Sequence, residues 1–275
     1  MKRLLLSLLL IFTFSSYVFA APVSSSGFYQ IKSAEDLIWF ADKVNSGDTS
    51  INGKLINNII LTGEWTPIGN KMSAPYSGTF DGNNKKISGL TITKDNPETM
   101  TDEFYALFGC LSGSIINLTV EGDINVSIID TSTALFSGVA GFTNKTAHIK
   151  NCTSYVSLRA IGEVGGLYVG GVAGRNAGLI EDSVALGDTF CSQARRWGAL
   201  VGRNGMEGII KNCKWKTGTA SAAIGDDMNA SATVNVTVWE ESSKGSEDSS
   251  GGGCNAGMAG MALVALLPFI KREHN

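Results

Sequence analysis

Five short segments ending in glycine recur along the middle of the chain: Thr79-Phe80-Asp81-Gly82, Ala106-Leu107-Phe108-Gly109, Gly138-Val139-Ala140-Gly141, Gly171-Val172-Ala173-Gly174 and Ala199-Leu200-Val201-Gly202. The closing glycines lie 27, 32, 33 and 28 residues apart. Five to eight residues after each comes Ile87, Ile115, Ile149, Ile180 or Ile210, and three further on stands Leu90, Leu118, Cys152, Ser183 or Cys213. Two columns sharing one period mark a repeat architecture. A unit this small cannot bury its own apolar face, so successive units must stack and share one core.

The units read as strands. Residues 87–92, 115–120 and 149–158 are rich in β-branched residues, alternate in places and are bounded by Gly, Asn or Asp, with no helical period. The expected fold is all-β: a single-stranded parallel β-helix solenoid, right-handed by the default for parallel connections, with an N-terminal capping helix. Each coil adds roughly 4.8 Å, and the glycine columns are expected where the chain turns tightly. A β-propeller needs four strands in roughly 40 residues, and a leucine-rich horseshoe needs regular Leu spacing; neither pattern is visible.

Composition agrees with this and excludes several functions. Gly is 33 of 275 residues and only 17% are charged, against about 25% in average chains, while 43% apolar residues suffice for a core. A net charge of −3 gives no footprint for nucleic acid. Two His and five scattered Cys lack the spacing of a zinc site. Phosphate-binding Gly-rich loops and the Gly-x-Ser-x-Gly elbow are also missing, so no metal and no cofactor is expected.

Both ends read as processing signals. Lys2 and Arg3 precede an apolar run from Leu4 to Phe14, and Val18-Phe19-Ala20 offers small residues to signal peptidase, which would cut between Ala20 and Ala21. At the other end residues 240–253 form a Ser, Gly and acidic linker closing on Gly251-Gly252-Gly253, followed by Cys254, an apolar run from Ala256 to Ile270, and Lys271-Arg272. About 15 apolar residues make roughly 22 Å of helix, short against a 30 Å hydrocarbon core. Basic residues beyond the run orient it with residues 21–253 outside the cytoplasm. Removing Lys2, Arg3, Lys271 and Arg272 from the 22 basic residues and Glu273 from the 25 acidic ones leaves 18 against 24, so residues 21–253 carry −6. Such a domain is repelled by anionic surfaces.

Between these ends the expected map is a cap and first strands over 21–75 and the β-helix over 76–239, with the linker over 240–253 and the sorting signal over 254–275. Ser33 can cap a helix over 34–46, with Asp36 as its capping-box partner, Leu37, Phe40, Ala41 and Val44 on one face and Gly47 as the stop. Residues 55–61 then start the sheet, Trp65-Thr66-Pro67-Ile68-Gly69 leads into the repeats, and residues 232–239 read as the last strand.

The repeats resemble the GLUG motif of bacterial surface and adhesin-like proteins: Gly, Leu, another apolar residue and Gly, then a Gly-x-Ile-x-Asn-Cys-like strand. Residues 138–141 and 171–174 match with Val in place of Leu, and 199–202 match from Leu200 onward. Asn151-Cys152 and Asn212-Cys213 complete the second half, whereas Asp182-Ser183 departs from it. The C-terminal stretch Ser249-Ser250-Gly251-Gly252-Gly253-Cys254-Asn255-Ala256-Gly257 resembles the Synergist-type sorting signal. That resemblance implies an intramembrane sorting protease as partner, membrane contact through the C-terminal segment, and a cell-envelope or cell-surface location. Cys254 is a candidate lipid carrier, and a simple tail anchor is the alternative.

Cys152 and Cys213 fall in one column two repeats apart, about 9.6 Å between Cα atoms, beyond the reach of a disulfide. They are expected to be unpaired buried residues. Pairing of Cys110 or Cys191 stays open. Arg175-Asn176 and Arg203-Asn204 follow the glycine corner in successive repeats and form either a binding stripe or a ladder satisfying turn backbone, with Trp197, Phe142 and Tyr168 nearby as stacking surfaces. Secreted β-helices often process polysaccharides, which requires paired carboxylates, or an acidic cluster beside a base. Asp226-Asp227, Glu163, Glu181-Asp182, Arg195-Arg196 and Arg203 are the candidates, but adjacent carboxylates on a strand face opposite ways. The reading is a non-enzymatic exported surface protein that binds a glycan or surface-protein ligand, with no catalytic residue; a polysaccharide lyase or glycoside hydrolase and a structural envelope component are the alternatives. Intact mass of the protein recovered from cells tests the processing: a chain that begins at Ala21 and lacks Lys271 is expected, and an unmodified Cys254 followed by an intact tail refutes it.

Overall fold

Each repeat lays short strands into parallel sheets that run the length of a solenoid. The computed structural model describes residues 21–95, 103–128, 133–162, 166–192, 196–218 and 220–240. Ala20, Glu163, Arg195, Gly251, Gly252, Gly253 and Cys254 lie outside them, as do the expected signal and sorting segments. Among the described residues one sheet runs unbroken from Ser24–Ser25 through Phe28–Ile31, Asn52–Leu55, Thr79–Asp95, Ser114–Ile128, His148–Lys150, Leu179–Glu181 and Ile209–Lys211 to Thr233–Val234. A second joins Phe108–Leu111, Ala140–Thr143, Ala173–Asn176, Val201–Asn204 and Ile224–Asp227, and a third joins Glu103–Tyr105, Ala134–Phe136 and Leu167–Val169. All the pairings between coils are parallel, so this is an all-β parallel β-helix.

The register sharpens the repeat. Ile115, Ile149, Ile180 and Ile210 pair rung to rung and are fully buried. Below them stands Phe80, not Ile87: Phe80 pairs with Ile115, while Ile87 pairs with Val120. The strand Thr79–Asp95 also carries two register shifts, between Asp81 and Lys85 and between Ile87 and Leu90, both beyond the Phe80–Ile115 pair. Gly82 is not in the glycine column because residues 79–81 lie beside residues 114–116 in the first sheet, whereas the column runs through the second. Pairings of Ala140 with Phe108 and Ala173, of Ala173 with Val201, and of Val201 with Ile224 align Gly109, Gly141, Gly174, Gly202 and Gly225, and the bridge from Ile68 to Phe108 puts Gly69 at its foot.

These glycines do not form corners, as the repeat pattern suggests; Gly109, Gly141, Gly174 and Gly202 lie inside strands without left-handed backbone. Close approach explains them. A Cβ on Gly202 would stand 2.6 Å from both the Gly174 oxygen and the Val169 nitrogen, so a side chain would push the third sheet off the second. The corners belong to Asn117, Asn151, Asp182, Asn212 and Asn235, with φ of 55, 52, 52, 52 and 54°. Asn and Asp tolerate this region because a short polar side chain can bond locally. Here they bond each other: Asn151 Nδ2 donates to Asn117 Oδ1 at 2.9 Å, Asn212 to Asp182 at 3.3 Å and Asn235 to Asn212 at 3.1 Å. Asp182 thus keeps the corner that its sequence departs from.

The helix Ala34–Asn45 ends one residue before the expected 46, with Ser46 as its C-cap and Gly47 left-handed at φ 122°. Ser33 Oγ accepts the Asp36 N–H at 3.3 Å, and the Asp36 carboxylate accepts the Lys32 N–H at 2.8 Å, one residue beyond the Ser33 N–H that a capping box uses. Leu37, Phe40, Ala41 and Val44 are all buried. Phe40 meets Phe80 and Tyr76 edge-on at 5.7 and 5.9 Å between centroids, and Phe80 meets Phe108 at 5.2 Å, so an aromatic column joins the helix to the stacked core. The strands expected over 55–61 and 232–239 are each divided in two, into Asn52–Leu55 with Ile59–Ile60 and Thr233–Val234 with Thr237–Val238. The second division falls at left-handed Asn235.

Two substitutions check this account by chemical denaturation. Gly202→Ala is expected to lose about 1–3 kcal/mol through overpacking. Asn151→Ala is expected to be less stable than Asn151→Gly by about 1 kcal/mol, because Ala must hold the left-handed corner against its Cβ.

Candidate functional site

Alternation on the strand Thr153–Gly162 buries Ser154, Val156, Leu158 and Ala160 and turns Tyr155, Ser157 and Arg159 outward. Register carries this pattern along the solenoid. Thr93, Asn125, Arg159 and Phe190 form one axial row, and Thr91, Asp123 and Ser157 form the row beside it. Between them runs a groove of about 490 Å³, walled by Asp123, Asn125, Ser157, Arg159, Asp188 and Phe190, over a floor that includes Ile124, Leu158 and Thr189. The Arg159 guanidinium lies 4.8 Å from the centre of the Phe190 ring, which remains 40% exposed. Trp197 meets Phe190 edge-on at 6.1 Å and donates its indole N–H to Thr189 Oγ1 at 3.0 Å, which fixes the aromatic pair. Asp188 is paired with Lys216 at 3.1 Å.

A second cavity of about 390 Å³ shares Thr93 with this groove and is lined by Glu64, Trp65, Lys94, Glu103 and Tyr105, among others. The Glu64 carboxylate accepts the Thr93 N–H at 2.9 Å, and Trp65 donates its indole N–H to the Leu107 carbonyl at 3.0 Å.

The residues singled out in sequence divide differently. Asn176 and Asn204 are fully buried inside the coil. Thr143 Oγ1 donates to Asn176 Oδ1 at 2.6 Å, Asn176 Nδ2 to Asn204 Oδ1 at 2.9 Å, and Asn204 Nδ2 to Asp227 Oδ1 at 3.0 Å; the same amides bond the backbone of Gly178 and Gly208. Their side chains are closed to any external ligand. Arg175 and Arg203 occupy the alternate, outward column: Arg175 lies over Phe142 at 5.4 Å, and Arg203 Nε pairs with Asp226 at 3.2 Å. Trp197 is the one of the five that reaches the groove, through Phe190.

The candidate acids are likewise engaged. Asp226 and Asp227 face opposite ways, Asp226 to Arg203 and Asp227 to Asn204 and Thr233. Glu181 holds Lys150 at 2.9 Å and His148 at 3.1 Å, and the bonded Lys150 ammonium keeps its carboxyl below the usual range. Arg196 lies over the Tyr168 ring at 4.7 Å.

Cys152, Ser183 and Cys213 share a buried column in which the Ser183 hydroxyl accepts the Cys152 N–H at 3.1 Å. Cys110, Cys152 and Cys213 are thiols, so the bridge that the sequence left open for Cys110 is not formed. Burial pushes Cys110 and Cys152 up to about 12 and Cys213 up to about 11.

Sequence reasoning missed Asp123, Asn125, Ser157, Arg159, Asp188 and Phe190. The alternation of residues 153–162 marks Arg159 as outward, but its neighbours become visible only once the register is known.

No family model and no curated protein matches the chain. Among solved structures it is similar to the crystal structure of a Bacteroides ovatus protein provisionally named an immunoglobulin A1 protease, with a TM-score of 0.51 and 18% identity over 76% of this chain and 74% of that one. At this identity the likeness is one of fold alone.

The thiols give a direct check. At about pH 8.5, where an ordinary cysteine is half ionised, iodoacetamide is expected to leave Cys110, Cys152 and Cys213 unlabelled in the native protein and to label them after denaturation. Mass spectrometry of the digested protein reads the outcome, and native labelling at Cys152 contradicts the buried column.

Proposed function

We propose that this chain is an exported, non-enzymatic surface protein of the GLUG type, whose stacked coils present a ladder face for adhesion or display. Its end segments support signal-peptidase cleavage before Ala21 and tethering or processing at Gly251, Gly252, Gly253 and Cys254 by an intramembrane sorting protease. The reading rests chiefly on how the charged groups are used. Asp226, Asp227, Glu181 and Asp182, the acids best suited by sequence to polysaccharide chemistry, are engaged in ion pairs and ladders that hold the coils together. A carboxylate fixed in this way is poorly placed to exchange protons with a substrate.

One observation favours a second reading, a glycoside hydrolase: Glu64 and Glu103 line the same cavity as Trp65 and Tyr105. The name of the Bacteroides ovatus protein belongs to that protein, and a shared fold carries no activity with it. A structural envelope role is the third reading.

A panel of soluble glycans, assayed for both binding and cleavage by the exported protein, separates the first two. Binding without release of reducing ends is expected. Turnover that falls at least 100-fold in Glu64→Gln or Glu103→Gln would replace the adhesion reading with the hydrolase.

A further inference from the structure

We propose that the axial groove walled by Asp123, Asn125, Ser157, Arg159, Asp188 and Phe190 binds a neutral glycan strand. The inference rests on the adhesion reading and gives it a site and a ligand class.

The polar groups suit hydroxyls. Asn125 and Ser157 each donate and accept, Arg159 only donates, and Asp123 and Asp188 only accept, so a ligand bearing groups that do both finds a partner on every rung. The rows repeat at the rung spacing of roughly 4.8 Å, close to one pyranose unit, so successive sugars of an extended chain meet equivalent positions on successive coils. Phe190 adds an apolar platform. Its ring is held by Arg159 and Trp197, so little side-chain freedom remains to be lost when the C–H face of a sugar covers it.

Charge selects among glycans. The groove holds one cation, Arg159, and two carboxylates, of which Asp188 is already neutralised by Lys216. A uronate, sulfate or phosphate polymer brings a negative charge on every unit and meets no row of cations here. The domain as a whole is acidic, which repels such a polymer further. An uncharged strand avoids this penalty. The cavity lined by Glu64 and Trp65 shares Thr93 with the groove, so a longer strand can continue into it.

Affinity gel electrophoresis of the full exported protein tests the proposal, with soluble β-glucan, xylan, mannan and starch as neutral probes and polygalacturonate and heparin as charged ones. At least one neutral polymer is expected to retard the protein, with retardation persisting in about 0.5 M salt, where charge-driven binding is screened. Phe190→Ala and Arg159→Ala should each weaken that retardation at least tenfold, Phe190→Tyr should restore most of it, and Arg175→Ala on the other face should leave it unchanged. Circular dichroism and melting temperature confirm that each variant is folded; Phe190 and Arg159 are exposed, so folding should survive. Retardation by polygalacturonate or heparin alone overturns the proposal, as does a Phe190→Ala protein that behaves like wild type. If Arg175→Ala abolishes binding instead, the adhesion reading stands and this site fails. If no polymer is bound but the protein still adheres to cells, the glycan proposal fails and a protein ligand replaces it. Release of reducing ends sinks the non-enzymatic reading instead.

Discussion

Backbone hydrogen bonds between successive coils, made in parallel register, are the interaction on which everything else depends. Each is worth only about 0.5–1.5 kcal/mol net, but none can form unless its neighbours are aligned. A slip by one residue would turn every inward side chain outward. The fold therefore needs devices that hold register, and the structure contains two. On the outside, Asn117, Asn151, Asp182, Asn212 and Asn235 mark one corner in left-handed backbone, and side-chain bonds join Asn117 to Asn151 and Asp182 through Asn212 to Asn235. On the inside, Thr143, Asn176 and Asn204 form a buried ladder that ends on half-buried Asp227, its polar atoms satisfied by each other and by the turns they close. A polar chain in an apolar core is tolerable because its members pair, and a slipped register would leave them unpaired.

A stack of strands exposes the backbone groups of its terminal coil and invites further pairing. The helix Ala34–Asn45 answers this at the N-terminal end with an apolar face that continues the core through Phe40, Phe80 and Phe108. The same stacking builds the groove. Because the coils are aligned, outward residues that lie far apart in sequence, from Thr93 to Phe190, fall into rows, and a binding face arises that no single repeat contains. Apart from Asp188, its wall residues lie on strands rather than on loops, so their spacing is set by the backbone itself.

Much of the fold was legible because a stacked architecture writes its period into the chain. The isoleucines at 115, 149, 180 and 210, the capped helix and the buried Cys152–Ser183–Cys213 column all follow from spacing and residue type. The glycines were misread for a physical reason. Gly is compatible with a tight corner and with close backbone approach alike, and only the neighbouring sheet shows that Gly202 answers to the second. Residues 79–82 mimicked a repeat because a Gly-ending segment reads alike in either sheet: theirs lies beside residues 114–116 in the first sheet, while Ile68 and Gly69 take the corresponding place at the foot of the second. For Asn176 and Asn204 the sequence left a binding stripe and a ladder satisfying turn backbone both open, and burial selects the ladder; one position along the strand separates them from outward Arg175 and Arg203.

The sequence by itself determined that the chain stacks: units of about 30 residues with short β-rich segments have no other way to bury their apolar faces. It also determined the helix that covers the first coil, because capping residues and a 3.6-residue apolar period are local properties. Only the tertiary structure decided which residues face outward together. Phase between coils depends on bulges, corners and contacts with the next sheet, which are non-local, and so the groove from Asp123 to Phe190 exists only once the coils are in register.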